Sequence, residues 1–498
     1  MLGILGLDNG FVPSLALLTA IPVMLYLAHL VRSPVAMDAK EPPLLRPKVP
    51  FIGHIIGIFK HSWDAKSKAP MFTLPTLGCK IFDPFLRDLI KGMAGASAQM
   101  MKAWDDPAFY GPWVKSLYGG MAGQSLLTLN ISAVGGIATA LNEIGDDVEV
   151  ADLYMWNREL FTLASTDSLY GSKNPLRVDK KLIEEYWDYE ADVNKLMLGI
   201  FPSIIARKGY CGQALFEEVF KSFFDSQLHE SDDFLSLVKD RRKLSISFDM
   251  TSAEAAKIEL IFLHGAVSNT FPEFYWFFTR IFSQPEHLSR LREEVQGVIE
   301  EKGRDVVDER EKRVFVLHME KSEEKCPLLM SCFREAHRLY AAGILAREVM
   351  TDTTISDGKM SYTVKKDWQI SVPQKILQTD FGIWGDDALE FIGDRFLKIA
   401  KEKGEAVVNA AVRGFLGFGG GKHICPGRYI ASGELLGFLA LLVAGFDVTS
   451  SDGDAFTVPK ATSVPLTGSF GKPVPGNDLR GRMRRRAGWE DVQWEVVA

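Results

Sequence analysis

The sequence has few cysteines, and their spacing excludes both a disulfide framework and a zinc site. Five cysteines occur in 498 residues, an odd number at wide intervals, and no two form a Cys-x-x-Cys pair. Such usage is typical of a protein in a reducing compartment. The formal net charge of −7 gives no indication of a nucleic-acid partner. A glycine-rich nucleotide-binding motif after a strand is also absent, which argues against a built-in nicotinamide or flavin domain.

Charged residues are missing from positions 11–31. As a helix, this run would be about 31 Å long, enough to cross a bilayer core. A cleaved signal peptide is the alternative, but the run is long for one and no basic segment precedes it. Basic residues follow the run, which places the rest of the chain in the cytosol. We therefore expect a single-pass transmembrane anchor at 1–32 and a stiff, proline-rich hinge at 33–50.

The body of the chain, residues 51–498, is mostly helical in pattern, with a minor set of short strands. No regular alternation of strands and helices is present, so we predict a mainly α fold with small β-sheets (α+β). Segment 354–373 alternates apolar and polar residues around the turn Asp357-Gly358, which predicts a hairpin. Segment 242–250 is expected to be a loop.

Residues 256–282 are apolar almost throughout, as is typical of a helix that passes through the middle of a large protein. We refer to this segment as the distal helix. Pro272 lies inside it and removes one backbone hydrogen bond, which predicts a kink just past Thr270.

The stretch GFGGGKHICPGR (417–428) presents one thiol, Cys425, on a glycine-rich loop. Pro426 suits the first position of a helix, so the thiol lies just before a helix N-terminus. Backbone amides and the helix dipole favour a thiolate there, either as a nucleophile or as a metal ligand. A nucleophile needs a base and an orienting group, and the sequence offers only His423 nearby. A lone axial thiolate, by contrast, is how one class of haem protein holds its iron.

The pattern F-x-x-G-x-H-x-C-x-G at 418–427 resembles the haem loop of the cytochrome P450 family. The resemblance extends over about residues 40–485 and implies the P450 fold for a haem-thiolate catalytic domain. It implies that Cys425 is the axial ligand of the iron of haem b (iron protoporphyrin IX). Phe418 would then pack near the sulfur, and His423 would meet a haem propionate.

Three further stretches agree with this resemblance. Glu335-x-x-Arg338 occupies one face of a predicted helix. Arg395, in FIGDRFL, resembles the arginine that joins such a pair in the buried triad of the family. Arg347 follows the same predicted helix, where the family often has an arginine that binds a haem propionate.

The distal helix retains Thr270, whose hydroxyl would steady oxygen and a proton-delivering water. Asn269 stands where the family usually has an acid, which leaves the proton route open. The motif Asn-Thr-x-Pro-x-x-x-Trp (269–276) resembles the branch that holds steroid 7α- and 12α-hydroxylases and prostacyclin synthase. We expect a monooxygenase. The alternatives are a non-oxygenating isomerase or dehydratase acting on a peroxide or epoxide, and a non-enzymatic haem sensor or carrier.

The resemblance also implies an apolar pocket above the haem and a separate source of electrons. An NADPH-dependent flavoprotein reductase would supply electrons for O2, at the endoplasmic reticulum membrane. The substrate would be lipophilic: a steroid, a terpenoid or another polycyclic secondary metabolite, since the segment YGSKNPL (170–176) resembles fungal secondary-metabolic members of the family. The expected pocket walls are Phe262, Leu263, Ala266, Thr270, Ile344, Leu345, Leu466 and Phe470.

Overall fold

The computed structural model describes residues 90–231, 236–307, 309–356, 358, 360–402, 414–420, 424–462, 468–474 and 480–498. The predicted anchor and hinge, and the site residues His423 and Leu466, lie outside the described residues. The chain divides into two compact units. The smaller comprises Met1–Phe82 and Ala346–Ile370, and the larger comprises Asp83–Leu345 and Ser371–Ala498.

Helices make up most of the larger unit. Their bounds are α1 (Ala98–Trp104), α2 (Pro107–Gly120), α3 (Gly123–Asn142), α4 (Leu153–Tyr170), α5 (Lys181–Met197), α6 (Pro202–Ile205), α7 (Arg207–Asp225), α8 (Ser236–Ser247), α9 (Ser252–Val267), α10 (Thr270–Phe282), α11 (Pro285–Val295), α12 (Met319–Lys325), α13 (Pro327–Tyr340), α14 (Gln374–Gln378), α15 (Phe381–Trp384), α16 (Arg395–Glu402) and α17 (Arg428–Gly445).

The strands are short and form small sheets. Their bounds are β1 (Asp147–Val150), β2 (Ile299–Val307), β3 (Arg310–His318), β4 (Ile344–Glu348), β5 (Thr353–Ser356), β6 (Ser361–Val364), β7 (Gln369–Pro373), β8 (Phe446–Ser450), β9 (Gly481–Arg485) and β10 (Val492–Val497). In the larger unit one sheet has the order β1-β9-β8 and another the order β10-β3-β2. In the smaller unit β5 pairs antiparallel with β6.

The predicted mixture of many helices and few strands is confirmed, and so is the hairpin, which β5 and β6 form. The prediction of a loop over 242–250 is wrong, because α8 continues to Ser247. The buried positions of α8 include Leu237, Arg241 and Ser245, which are four residues apart and share one helical face. Two arginines and a lysine (241–243) mask this periodicity in the sequence.

The core of the larger unit surrounds α10 and α17, both of which are buried almost throughout. The rings of Phe274 on α10 and Phe438 on α17 stack in parallel, with centroids 4.4 Å apart. Among the described helices, α3 and α17 are long and apolar enough to cross a membrane. The burial of α17 within the unit is that of a core helix.

The distal helix is interrupted before Thr270 rather than kinked after it. Helix α9 begins with a capping box between Thr251 and Glu254 and ends at Val267, and α10 starts at Thr270. Pro272 explains the position of the break, because its missing amide would have bonded to the carbonyl of Ser268, four residues earlier. The predicted kink therefore lies upstream of its expected place.

Candidate active site

The thiol of Cys425 lies at the start of α17, as the glycine-rich loop predicts. The amides of Gly427 and Arg428 donate hydrogen bonds towards the sulfur. The Cys425 amide donates to the Phe418 carbonyl at 2.9 Å, which closes the loop on itself. Gly419 has a φ of +81°, a backbone conformation that residues other than glycine rarely adopt. The backbone thus directs two amides at one sulfur, an arrangement that stabilises a thiolate.

The surroundings of Cys425 fit an iron-bound thiolate. Desolvation by the surrounding protein raises the pKa of the thiol, and the hydrogen bonds from Gly427 and Arg428 oppose this effect. The side chain is nevertheless accessible to solvent. A sulfur that solvent reaches can also be reached by the iron of a bound group. In the described ranges, no group of three or more His, Cys, Asp or Glu side chains is placed to hold a metal ion by itself.

Two other described cysteines lie on or beside α13 in quite different surroundings. Cys326 and Cys332 are buried among apolar side chains. Burial raises the pKa of Cys326 to about 12 and raises that of Cys332 as well. These environments favour inert, protonated thiols. Of these three cysteines, Cys425 is the one whose side chain is accessible to solvent.

The three charged residues predicted to form a buried triad contact one another. Arg338 donates from Nε and Nη2 to the two carboxylate oxygens of Glu335, both at 2.8 Å. Arg395 donates from Nε to Oε1 of the same glutamate, also at 2.8 Å. Arg395 also donates from Nη1 to Oδ1 of Asp387 at 2.6 Å. The cluster thus contains two positive and two negative side chains, and its net charge is zero. The carboxylate of Asp387 is a member that sequence reasoning missed.

The residues predicted to act on oxygen lie at the break between α9 and α10. The Thr270 hydroxyl donates to the Ala266 carbonyl at 3.0 Å, so its oxygen remains available to accept a hydrogen bond from water. Oδ1 of Asn269 accepts a hydrogen bond from the Ser469 amide at 2.8 Å, across 200 residues of sequence. The amide that replaces the usual acid is therefore a tether.

We name residues 468–474 the C-terminal loop. It has a second bond to the same helix, because Nε1 of Trp276 donates to the Gly471 carbonyl at 2.8 Å. The Trp276 ring stacks on Tyr340 with centroids 4.5 Å apart. Asn269 and Trp276 are seven residues apart, two helical turns, so one face of the distal helix holds this loop at two points.

The predicted pocket walls occupy different environments. Phe262 lies under the Arg241 guanidinium, 3.6 Å from the ring centroid, and Leu263 is completely buried. Phe470 lies in the C-terminal loop and is buried against the His337 ring, with centroids 5.3 Å apart. Ala266 and Leu345 are half-buried, and Ile344 is exposed. Their role as pocket walls stays a prediction.

Arg347 lies in the smaller unit, on β4, where its guanidinium donates to the Ala346 carbonyl at 2.7 Å. Phe418 lies in the larger unit, and its ring centroid is 4.6 Å from that of His337. The sequence pattern singled out Phe418 but not the histidine beside it. Only its place between Glu335 and Arg338, in the motif EAHR, marked that histidine at all.

Comparison with known proteins agrees with this geometry. A family model described as "Cytochrome P450" matches residues 212–472, which include the cysteine loop, the charged cluster and the distal helix. A cytochrome P450 monooxygenase of Gibberella zeae is 29% identical over 93% of this chain and 92% of its own length. The cytochrome P450 monooxygenase nodJ of Hypoxylon pulicicidum is 27% identical over 92% of this chain and 93% of its own.

Animal enzymes and a solved structure are also similar. Cytochrome P450 7A1 of Sus scrofa is 26% identical over 64% of this chain and 62% of its own length. The fold of the retinoic acid bound cyanobacterial CYP120A1 matches with a TM-score of 0.64 over 90% of this chain and all of that one, at 17% identity. Because the family model spans half of the chain and contains the thiolate loop, this chain belongs to the cytochrome P450 family and is a monooxygenase of that family.

Proposed function

We propose that this monooxygenase is anchored in the endoplasmic reticulum membrane by residues 1–32 and oxidises a lipophilic polycyclic molecule. Haem b would supply the oxidising chemistry when bound, and Cys425 would hold its iron. Phe418 would pack beside the sulfur, and His423 and Arg347 would bind the haem propionates. An NADPH-dependent flavoprotein reductase supplies the electrons.

The observation that carries this proposal is the pair of amides from Gly427 and Arg428 on the Cys425 sulfur. Hydrogen bonds to a thiolate withdraw electron density from it and thereby tune the metal it binds. On the distal helix, the Thr270 hydroxyl donates its hydrogen to the Ala266 carbonyl, so a lone pair of its oxygen is left to accept a hydrogen bond. That lone pair would orient a water that donates protons during the reaction.

The substrate class is supported by the relatives and by the residues near the C-terminal loop. One relative over 39% of this chain is named cholesterol 7-alpha-monooxygenase, from Cricetulus griseus, and is 30% identical there. The two relatives that match over more than nine-tenths of the chain are fungal monooxygenases. A steroid, a terpenoid or another polycyclic secondary metabolite suits apolar walls such as Phe262 and Phe470.

The ligand assignment is tested by Cys425→Ala with Cys211→Ala as a matched control. Cys211 is an exposed free cysteine on α7, so its loss leaves the haem loop unchanged. The control should show the red-shifted absorption of the CO-bound reduced haem-thiolate, and Cys425→Ala should lack it. If Cys425→Ala keeps that band, another group is the ligand.

The reaction is tested with the purified enzyme, its reductase, NADPH and O2. A monooxygenase consumes NADPH and O2 together when substrate is present, whereas an isomerase or dehydratase turns over without either. Comparing the metabolites of a host with and without the gene supplies candidate substrates. Conversion of a peroxide or epoxide in the absence of NADPH would favour the non-oxygenating alternative.

A further inference from the structure

A buried acid and a buried imidazole join the distal helix to the helix of the charged cluster. Glu273, in the first turn of α10, contacts Nδ1 of His337 on α13 through its Oε1 oxygen. The two side chains are 3% and 1% exposed, so the contact is shielded from water. Neither residue contributes to the Glu335 cluster. A carboxylate this deeply buried is stable only when it is paired, and His337 is its partner.

The imidazole of His337 lies directly against the haem loop. Its ring centroid is 4.6 Å from that of Phe418 and 5.5 Å from that of Phe415. A Cβ atom on Gly417 would lie only 2.1 Å from Nε2 of His337, so that ring and the loop backbone are in the closest contact that glycine permits. His337 therefore supports the loop that carries Cys425 by direct contact at Gly417 and Phe418.

The Glu273 carboxylate lies one side chain away from this loop, because His337 contacts both. Desolvation is the main cause of the raised pKa of Cys425, and the negative charge of Glu273 raises it further. Arg428 acts in the opposite sense, as do the two amides. A negative charge near an iron–thiolate centre disfavours addition of an electron, because net charge and hydrogen bonding set the reduction potential.

We infer that Glu273 and His337 are positioning residues that set the reduction potential of the haem centre. His337 holds the Glu273 carboxylate in place through its Nδ1–H and supports Gly417 and Phe418 with its ring. The carboxylate places a negative charge one side chain away from the loop that carries Cys425, and this charge keeps the potential low. This inference rests on Cys425 as the ligand, which belongs to the proposed function.

The test is a spectroelectrochemical titration of the purified, haem-loaded enzyme and its variants. Glu273→Gln removes the charge and keeps the shape, and it should shift the ferric–ferrous equilibrium about tenfold towards ferrous, about +59 mV for one electron. Glu254→Gln is the matched control, since Glu254 is a buried carboxylate of α9 and glutamine also serves in a capping box. The control should leave the potential unchanged.

Variants of His337 distinguish the hydrogen bond to Glu273 from the packing of the ring against the haem loop. His337→Asn keeps a donor near the Nδ1 position and should keep the potential close to that of the wild type. His337→Leu removes the donor, so the buried Glu273 carboxylate is no longer held beside the loop and the potential should rise as in Glu273→Gln. If His337→Asn behaves like His337→Leu, the hydrogen bond is not what the imidazole contributes, and the inference is overturned.

The double variant Glu273→Met with His337→Leu covers the case in which a single variant fails to fold, because replacing a whole buried pair with apolar residues is commonly tolerated. It should load haem and show the same positive shift. An unchanged or lowered potential in Glu273→Gln or in the double variant overturns the inference. So does a folded double variant that binds no haem. If the wild type itself lacks the red-shifted CO band, the assignment of Cys425 has failed instead.

Discussion

Replacing Asn269 tests whether the amide at this position is a tether or part of the proton route. In Asn269→Ala the Ser469 amide loses its acceptor, which now lies 2.8 Å away. Leaving a backbone N–H without a partner costs about 1–3 kcal/mol, and the lower end applies because this bond is only partly buried. Asn269→Asp keeps an oxygen at the same place and retains the bond.

The expected loss of about 1 kcal/mol decides which assay is informative. In a chain of 498 residues it would lower the midpoint of thermal unfolding by only about 1 °C. In a binding equilibrium it corresponds to about fivefold in Kd. The C-terminal loop carries Phe470 next to Ser469, so loosening it should weaken the binding of a bulky aryl azole by that factor in Asn269→Ala.

The azole titration, read from the haem absorption, therefore compares the wild type, Asn269→Asp and Asn269→Ala. Asn269→Asp should bind like the wild type and keep its turnover within about tenfold, which is roughly 1.4 kcal/mol in the barrier. The reasoning is refuted if both variants weaken azole binding equally, or if neither does.

Three other outcomes follow from the structure, and a fourth follows from the sequence. Thr270→Ala should uncouple the cycle, so that NADPH is still consumed but more hydrogen peroxide and less product form per NADPH, while Thr270→Ser should remain coupled. Glu335→Gln leaves two buried arginines without their carboxylate and should cost about 3–5 kcal/mol, seen as a low yield of haem-loaded protein. Burial raises the pKa of Glu434 from 4.5 to about 8, so between these pH values the folded state holds a proton that the unfolded state releases. The free energy of unfolding of the wild type should therefore fall as the pH rises from about 5 to about 8. In thermal scans, Glu434→Gln should flatten that fall. Deletion of residues 1–32 should move the protein from the membrane to the soluble fraction with an intact haem spectrum, and a fully membrane-bound truncation would contradict the anchor.

Features encoded in short contiguous motifs could be predicted from the sequence. The cysteine loop is one such feature, since its glycines, its proline and the apolar period after it all lie within some thirty residues. Helix α17 begins at Arg428, two residues after the expected Pro426, which is the usual uncertainty of a helix boundary. The pair Glu335 and Arg338 was also readable, because residues three apart share a helical face.

Features that depend on distant packing could not be predicted. Glu273 and His337 are 64 residues apart and meet only because α10 packs on α13. The sequence places Glu273 in an apolar helix and His337 between Glu335 and Arg338, but it does not show that the two side chains face each other. The break before Thr270 was placed too late, because the effect of Pro272 was assigned to its own position. The carbonyl that loses its partner is four residues earlier.

The tether also bears on the absence of an acid at position 269. An aspartate there would accept the Ser469 amide as Asn269 does, and a hydrogen bond to the charged form of a carboxyl lowers its pKa. Because its pKa is lowered, such a carboxyl group would be ionised near neutral pH and would be a poor proton donor there. An aspartate at position 269 would therefore not restore proton transfer as long as its carboxylate accepts the hydrogen bond from the Ser469 amide. This is why Asn269→Asp should change turnover so little, and why we propose that Thr270 and water deliver the protons in this chain.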